Sequence, residues 1–111
     1  VAHGGLWKAD PEKEPSMPAY VILIRDKMLD QAEFDRYAPA AREARADHKI
    51  TPLAFYGRHE VLEGADVEGA VILQFPTFAE AQAWYRSPAY QAALAHRLKG
   101  AQYRVMIVEG V

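Results

Sequence analysis

Apolar positions along the chain switch between two periods, and the switches mark the elements. The run Tyr20-Val21-Ile22-Leu23-Ile24 is apolar on both of its alternating faces, which predicts a strand covered on both sides. Phe34, Tyr37, Ala38, Ala41 and Ala44 then recur at helical spacing, behind a capping-box-like start in which Glu33 follows Asp30 by three residues. That helix is expected to run to about Lys49, kinked near Asp35 to Pro39, with His48 and Lys49 in its last turn where positive charge suits the dipole. Thr51 to Glu63 reads as one long strand with a bulge at Gly57, and Glu63-Gly64-Ala65-Asp66 as the turn into a strand from Gly69 to Phe75. The densest signal lies between Phe75 and Tyr90. Thr77 with Glu80 is a capping box, and Ser87-Pro88 is an N-cap followed by proline at the first helical position. One helical region from Thr77 to about Lys99, restarting at Ser87 and stopped by Gly100, therefore precedes a last strand from Arg104 to Glu109.

The resulting order, β-α-β-β-α-β, predicts an α+β, ferredoxin-like domain with an antiparallel sheet and both helical regions on one face. The other face must be polar or covered. Along the second strand Leu53, Phe55 and Val61 oppose Ala54, Tyr56, Arg58, Glu60 and Leu62; along the third, Val71, Leu73 and Phe75 oppose Ala70, Ile72 and Gln74. The second set of each strand mixes apolar, aromatic and a few polar groups, too apolar for a solvated face. A homodimer with two sheets face to face, enclosing or flanking a small pocket, is the expected assembly.

At 111 residues, half of them hydrophobic and a quarter charged, the chain has material for one core. Residues 1–16 stand apart: Gly4-Gly5, Asp10-Pro11 and Glu14-Pro15 lie among charges, and only Leu6 and Trp7 offer apolar anchors. They read as a tail, an expression remnant or upstream extension before a start at Met17, with packing of Leu6 and Trp7 onto a partner subunit as the alternative; residues 17–111 form the domain. The formal net charge of -2, from 13 basic and 15 acidic residues interspersed, offers no basic field for nucleic acid and no polybasic stripe for a membrane. No cysteine is present, which removes disulfides and thiolate chemistry and suits a reducing, cytoplasmic setting. The longest apolar run is too short to span a bilayer.

The segment from Phe75 to Gln91, with its Trp84-Tyr85 pair and Ser87-Pro88 restart, is preceded by Glu60-Val61-Leu62-Glu63-Gly64 and followed by Arg97 and Val108-Glu109-Gly110-Val111. In this order and spacing the motifs resemble the domain of unknown function 1330 family, over essentially Pro18 to Val111. The resemblance implies the dimeric α/β-barrel fold, a superfamily that includes cofactor-independent monooxygenases, lactone isomerases, dye-decolouring enzymes and members with no known activity. It implies no particular reaction. Where such relatives often carry a Gly-Gly pair in the second strand this chain has Tyr56-Gly57, an aromatic ring where the backbone otherwise approaches a ligand.

Outside the tail the histidines are His48, His59 and His96, and no pair has the spacing of a metal-binding helix motif. Ser87 is a helix cap, which leaves no serine nucleophile in the domain. His59 and Tyr56 are the candidate proton-transfer groups, although on a regular strand His59 and Glu60 point to opposite faces. The candidate ligand-binding set is Arg58, Gln74 and Arg97, walled by Trp84 and Tyr90. An arginine fork holds a carboxylate or enolate, so the expected ligand is a small anionic or phenolic molecule and no cofactor is expected. The competing reading makes Arg58 and Glu60 an interface ion pair and Trp84 ordinary core. Three functions follow: a small cofactor-independent enzyme for isomerisation, decarboxylation or oxygenation of an aromatic or carboxylated metabolite, a non-catalytic binder, or a structural dimerisation module.

Overall fold

A computed structural model describes residues 17–111; the tail, with Leu6 and Trp7, lies outside the described residues. Strand β1 (Ala19–Met28) buries Ala19, Val21 and Leu23 on one face and leaves Tyr20, Ile22 and Ile24 half-covered on the other. Its long apolar run suits one of the two interior strands of the sheet. The sheet order is β2-β3-β1-β4, with β2 spanning Thr51–Phe55, β3 Gly69–Phe75 and β4 Ala101–Glu109, and every pairing antiparallel. Helices α1 (Gln31–Glu43), α2 (Phe78–Arg86) and α3 (Pro88–Gly100) complete the β-α-β-β-α-β order, the second helical region being split in two at Ser87. The fold is ferredoxin-like.

The helix starts are capped as their sequences require. The Asp30 carboxylate accepts from the Glu33 backbone N–H at 3.2 Å, Thr77 Oγ1 from Glu80 at 3.1 Å and Ser87 Oγ from Tyr90 at 3.2 Å. Helices α2 and α3 set Ala81, Trp84, Tyr90, Ala93 and Leu94 onto Val21, Leu23, Val71 and Phe75 of the sheet, forming the core. At Gly100 a Cβ would stand 2.7 Å from the Phe34 backbone nitrogen, so glycine lets the end of α3 meet the first turn of α1; its carbonyl accepts from the backbone N–H groups of Leu29 and Asp30.

Two elements depart from the pattern-based expectation. Helix α1 runs through Pro39 but ends at Glu43, not near Lys49, because Ala46 takes a left-handed φ of 40° and the chain tightens into turns; His48 and Lys49 lie beyond the helix. Strand β2 ends at Phe55 instead of continuing to Glu63, because Tyr56 adopts φ 53°. The register also shifts between Pro52 and Ala54, which moves the extra residue to Leu53 and away from Gly57. Residues 57–68 form an irregular segment, turned at Gly64 with φ 96°, before β3 begins.

Candidate functional site

Helix α1 carries an apolar stripe but has no buried residue, because much of that stripe faces a cavity in place of packed core. The cavity, about 540 Å³ in volume, is roofed by Phe34, Tyr37, Ala38 and Ala41 of α1. Leu23, Val71 and Leu73 of the sheet form its floor, Phe55 and Tyr56 one side, and Trp84 part of the inner wall. Its charged lining groups are Arg25, Arg42 and Arg45; among the described residues the lining holds no Asp, Glu or His.

The polar end is built by strand register. Arg25 continues the inward series of Val21 and Leu23, and pairs across the sheet with Gly69 on one side and Tyr103 on the other. Gly69 is required there, since a Cβ would lie 2.7 Å from Cδ1 of Tyr56. Strict alternation would send Tyr56 to the open face beside Ala54, but its left-handed backbone turns the ring over Gly69 onto the helix side, where its hydroxyl hydrogen-bonds the Tyr103 hydroxyl. The Arg25 guanidinium lies 4.9 Å from the Tyr56 ring centroid and 5.5 Å from that of Phe34. Arg25 Nε is 3.2 Å from Glu68 Oε1 without hydrogen-bond geometry, an electrostatic contact with a carboxylate that already accepts from the Met28 N–H at 2.9 Å.

Behind this wall Arg97 of α3 is 2% exposed. Its guanidinium stacks at 4.7 Å on Tyr103 and 5.6 Å on Tyr37, whose hydroxyl meets that of Tyr90 at 2.6 Å. Burial, reinforced by the paired hydroxyls, pushes the pKa of Tyr37 and Tyr103 well above that of an ordinary tyrosine. Both therefore stay protonated at neutral pH and are not bases there. Burial opposes the Arg97 charge, yet the Tyr90 and Tyr37 hydroxyls hold its pKa above the usual arginine value, so it remains a cation. The buried side-chain polar atoms without a hydrogen-bond partner among the described residues are Arg25 Nε, Trp84 Nε1 and Arg97 Nε, all three donors around this cavity.

Of the residues singled out from sequence, Tyr56 and Trp84 line the cavity, and Tyr90 and Arg97 lie directly behind Tyr37. Gln74 is across the sheet, paired with Tyr20 on the open face. Arg58 is exposed in the segment 57–68. His59 is in the same segment, its Nε2 3.2 Å from the Val67 carbonyl oxygen, and lines a shallower depression on the open face with Glu60, Ile24 and Arg104. Because this stretch is not a strand, His59 and Glu60 share one depression instead of facing opposite ways. Pattern reading passed over Arg25, Tyr37 and Tyr103 as site residues. The available signal was a charged residue continuing the buried series of β1, and a tyrosine in phase with Val105 and Ile107. Among the described residues no cluster of three His, Cys, Asp or Glu side chains is arranged to hold a metal ion, and no helix is long and apolar enough to cross a membrane.

Residues 18–111 match the family described as Domain of unknown function (DUF1330). The chain belongs to that family. No curated protein matches it in sequence. A protein of unknown function from Rhodopseudomonas palustris is similar in structure, with a TM-score of 0.69 and 13% identity over 91% of this chain and 88% of that one. A dimeric ferredoxin-like protein of unknown function from Thermobifida fusca superposes with a TM-score of 0.58 and 15% identity, covering 86% of this chain and 92% of its own. SnoaB, a cofactor-independent oxygenase from Streptomyces nogalater, gives a TM-score of 0.52 at 10% identity over 83% and 91% of the two chains. At these identities the likeness is one of fold, and the DUF1330 family shares that fold with proteins of different descriptions.

Proposed function

We propose that this DUF1330 protein is a small-molecule protein whose ligand is a small aromatic or carboxylated anion, held in the cavity beneath α1. One observation carries the reading: the lining combines an aromatic and aliphatic wall with three arginines and, among the described residues, no acid. Flat apolar surface is buried against Phe34, Leu23 and Leu73, while the negative group meets Arg25 and the Tyr56 hydroxyl. Trp84 and Tyr37 wall the site, with Tyr90 and Arg97 behind them.

The chemistry suited to such a site is stabilisation of a developing anion. Isomerisation through an enolate, decarboxylation through a carbanion and oxygenation of a phenolate share that need, and preorganised donors meet it without a cofactor. The description of SnoaB, a protein of the same fold, as a cofactor-independent oxygenase supports this direction. Binding without turnover is the second reading, favoured by the absence of Asp, Glu and His from the described lining: no side chain there is an ordinary base at neutral pH.

Assembly enters the same proposal. The open sheet face carries Ile22, Ile72, Met106 and Val108, and Met106 is 55% exposed. A second copy covers this face, as a homodimer; the Thermobifida fusca protein of this fold is described as dimeric.

Aromatic carboxylates and phenols screened by thermal shift, then measured by calorimetry, test the ligand reading, because a ligand that binds only the folded state raises its apparent stability. A hit should weaken by on the order of 1.5–3 kcal/mol in Arg25→Met, the cost of one charged hydrogen-bond partner. Unchanged affinity in a folded Arg25→Met protein would remove the anion from this cavity.

A further inference from the structure

The cavity wall holds more positive charge than it neutralises. Arg25 has Glu68 at 3.2 Å, but among the described residues Arg97 forms no salt bridge, although it is 2% exposed. A guanidinium this buried is ordinarily paired, since desolvating an isolated charge is costly. Its neighbours are instead neutral phenols: the rings of Tyr103 and Tyr37, at 4.7 and 5.6 Å, and the Tyr90 hydroxyl. Both rings lead toward the cavity. Tyr37 lines it directly, and Tyr103 hydrogen-bonds Tyr56, which also lines it.

We propose that Arg97 is a positioning residue that charges the ligand site from behind, so that the cavity selects a singly charged aromatic anion over its neutral isostere. The inference rests on the ligand reading above and adds to it the residue that sets charge preference. Arg97 does not touch the ligand. Its charge acts across the Tyr103 and Tyr37 rings, and the surrounding core screens that field less than water would. It also favours one direction of the tyrosine relay. With the Tyr103 O–H donating to the Tyr56 oxygen, the Tyr56 proton is left free to donate to an acceptor in the cavity, beside Arg25. Arg25, Arg97 and Glu68 together leave one positive charge at this end of the cavity, apart from Arg42 and Arg45 elsewhere in the lining, and a bound monoanion neutralises it.

Benzoate and benzamide are probes of nearly equal shape that differ in charge. Their affinities for the intact protein, Arg97→Lys and Arg97→Met are compared by NMR titration, with circular dichroism reporting folding. The wild type should prefer benzoate by at least about tenfold, which corresponds to ~1.4 kcal/mol. Arg97→Lys, which keeps the charge but loses the planar fork, should retain that preference. Arg97→Met should lose most of it by weakening benzoate about tenfold and leaving benzamide unchanged. A purely structural role for Arg97 predicts instead that both probes weaken together in both variants. Equal binding of the two probes by the wild type, or an undiminished preference in a folded Arg97→Met protein, overturns the inference while leaving the cavity as a ligand site. Should Arg97→Met not fold, Arg97→Lys decides: a folded lysine variant without the preference overturns the inference, and one that keeps it supports the inference. Absence of binding by both probes and by every aromatic acid and phenol in the thermal-shift screen would instead remove the ligand reading, and this inference with it.

Discussion

Trp84 touches both the core and the cavity. Its ring lies 4.2 Å from that of Tyr90 and 5.2 Å from that of Phe75, it is 3% exposed, and one side borders the empty space under α1. Trp84→Ala should therefore destabilise by roughly 3–5 kcal/mol in chemical denaturation, since the packed side of the ring leaves a void that its neighbours cannot fill. A variant of wild-type stability that has lost ligand affinity would make Trp84 a wall residue alone. Single residues were unevenly legible. Trp84 and Arg97 stood out by type and by the motifs around them. Arg25 did not, because nothing local distinguishes a solvated arginine from one clamped between Phe34 and Tyr56, rings supplied by α1 and by the residue after β2.

The elements that carry their own stop and start chemistry were the ones legible in the chain. Ser87 accepts from the Tyr90 N–H at 3.2 Å and donates to the Trp84 carbonyl at 2.8 Å, closing α2 and opening α3 with one hydroxyl. Ser87→Ala should cost about 1 kcal/mol of stability by denaturation. A second device joins helices far apart in sequence: Glu33 Oε1 in the first turn of α1 lies 3.0 Å from His96 Nδ1 on α3. The bond to His96, opposed by burial and aided by the Arg36 charge, holds the Glu33 carboxyl below its ordinary pKa of 4.5. A depressed folded-state pKa contributes stability that is whole above the unfolded value and is lost as pH falls through the folded one. Glu33→Gln should accordingly show a shallower loss of stability than wild type as pH drops below 4.5 in acid titrations followed by circular dichroism. An identical acid limb would mean that the contact is unimportant in solution. Strand β2 was misjudged because its residues keep alternating past the point where the backbone leaves the sheet. A tyrosine at φ 53° is disfavoured on its own, and it is the packing over Gly69 and the bond to Tyr103 that hold it.

At the scale of the molecule, helices cover one sheet face and the other remains available to a partner. Light scattering at micromolar concentration should give a dimer mass, and Met106→Glu, which sets a charge among apolar neighbours on the open face, should shift the population toward monomer. A monomeric wild type would defeat the face-to-face assembly. The order of elements, the split at Ser87 and the need to cover a second sheet face follow from periodicity, capping and apolar content, properties that neighbouring residues impose on one another. The cavity and its charge do not. They arise where α1 spans the sheet without filling the space beneath it, where Gly69 admits the Tyr56 ring, and where Arg25, Arg97 and four tyrosines from separate elements converge. Local pattern fixes which face a side chain takes only where strand or helix is regular, as Tyr56 shows; the packed chain decides which side chains share that space, because the distances that set burial and electrostatics run between residues remote in sequence.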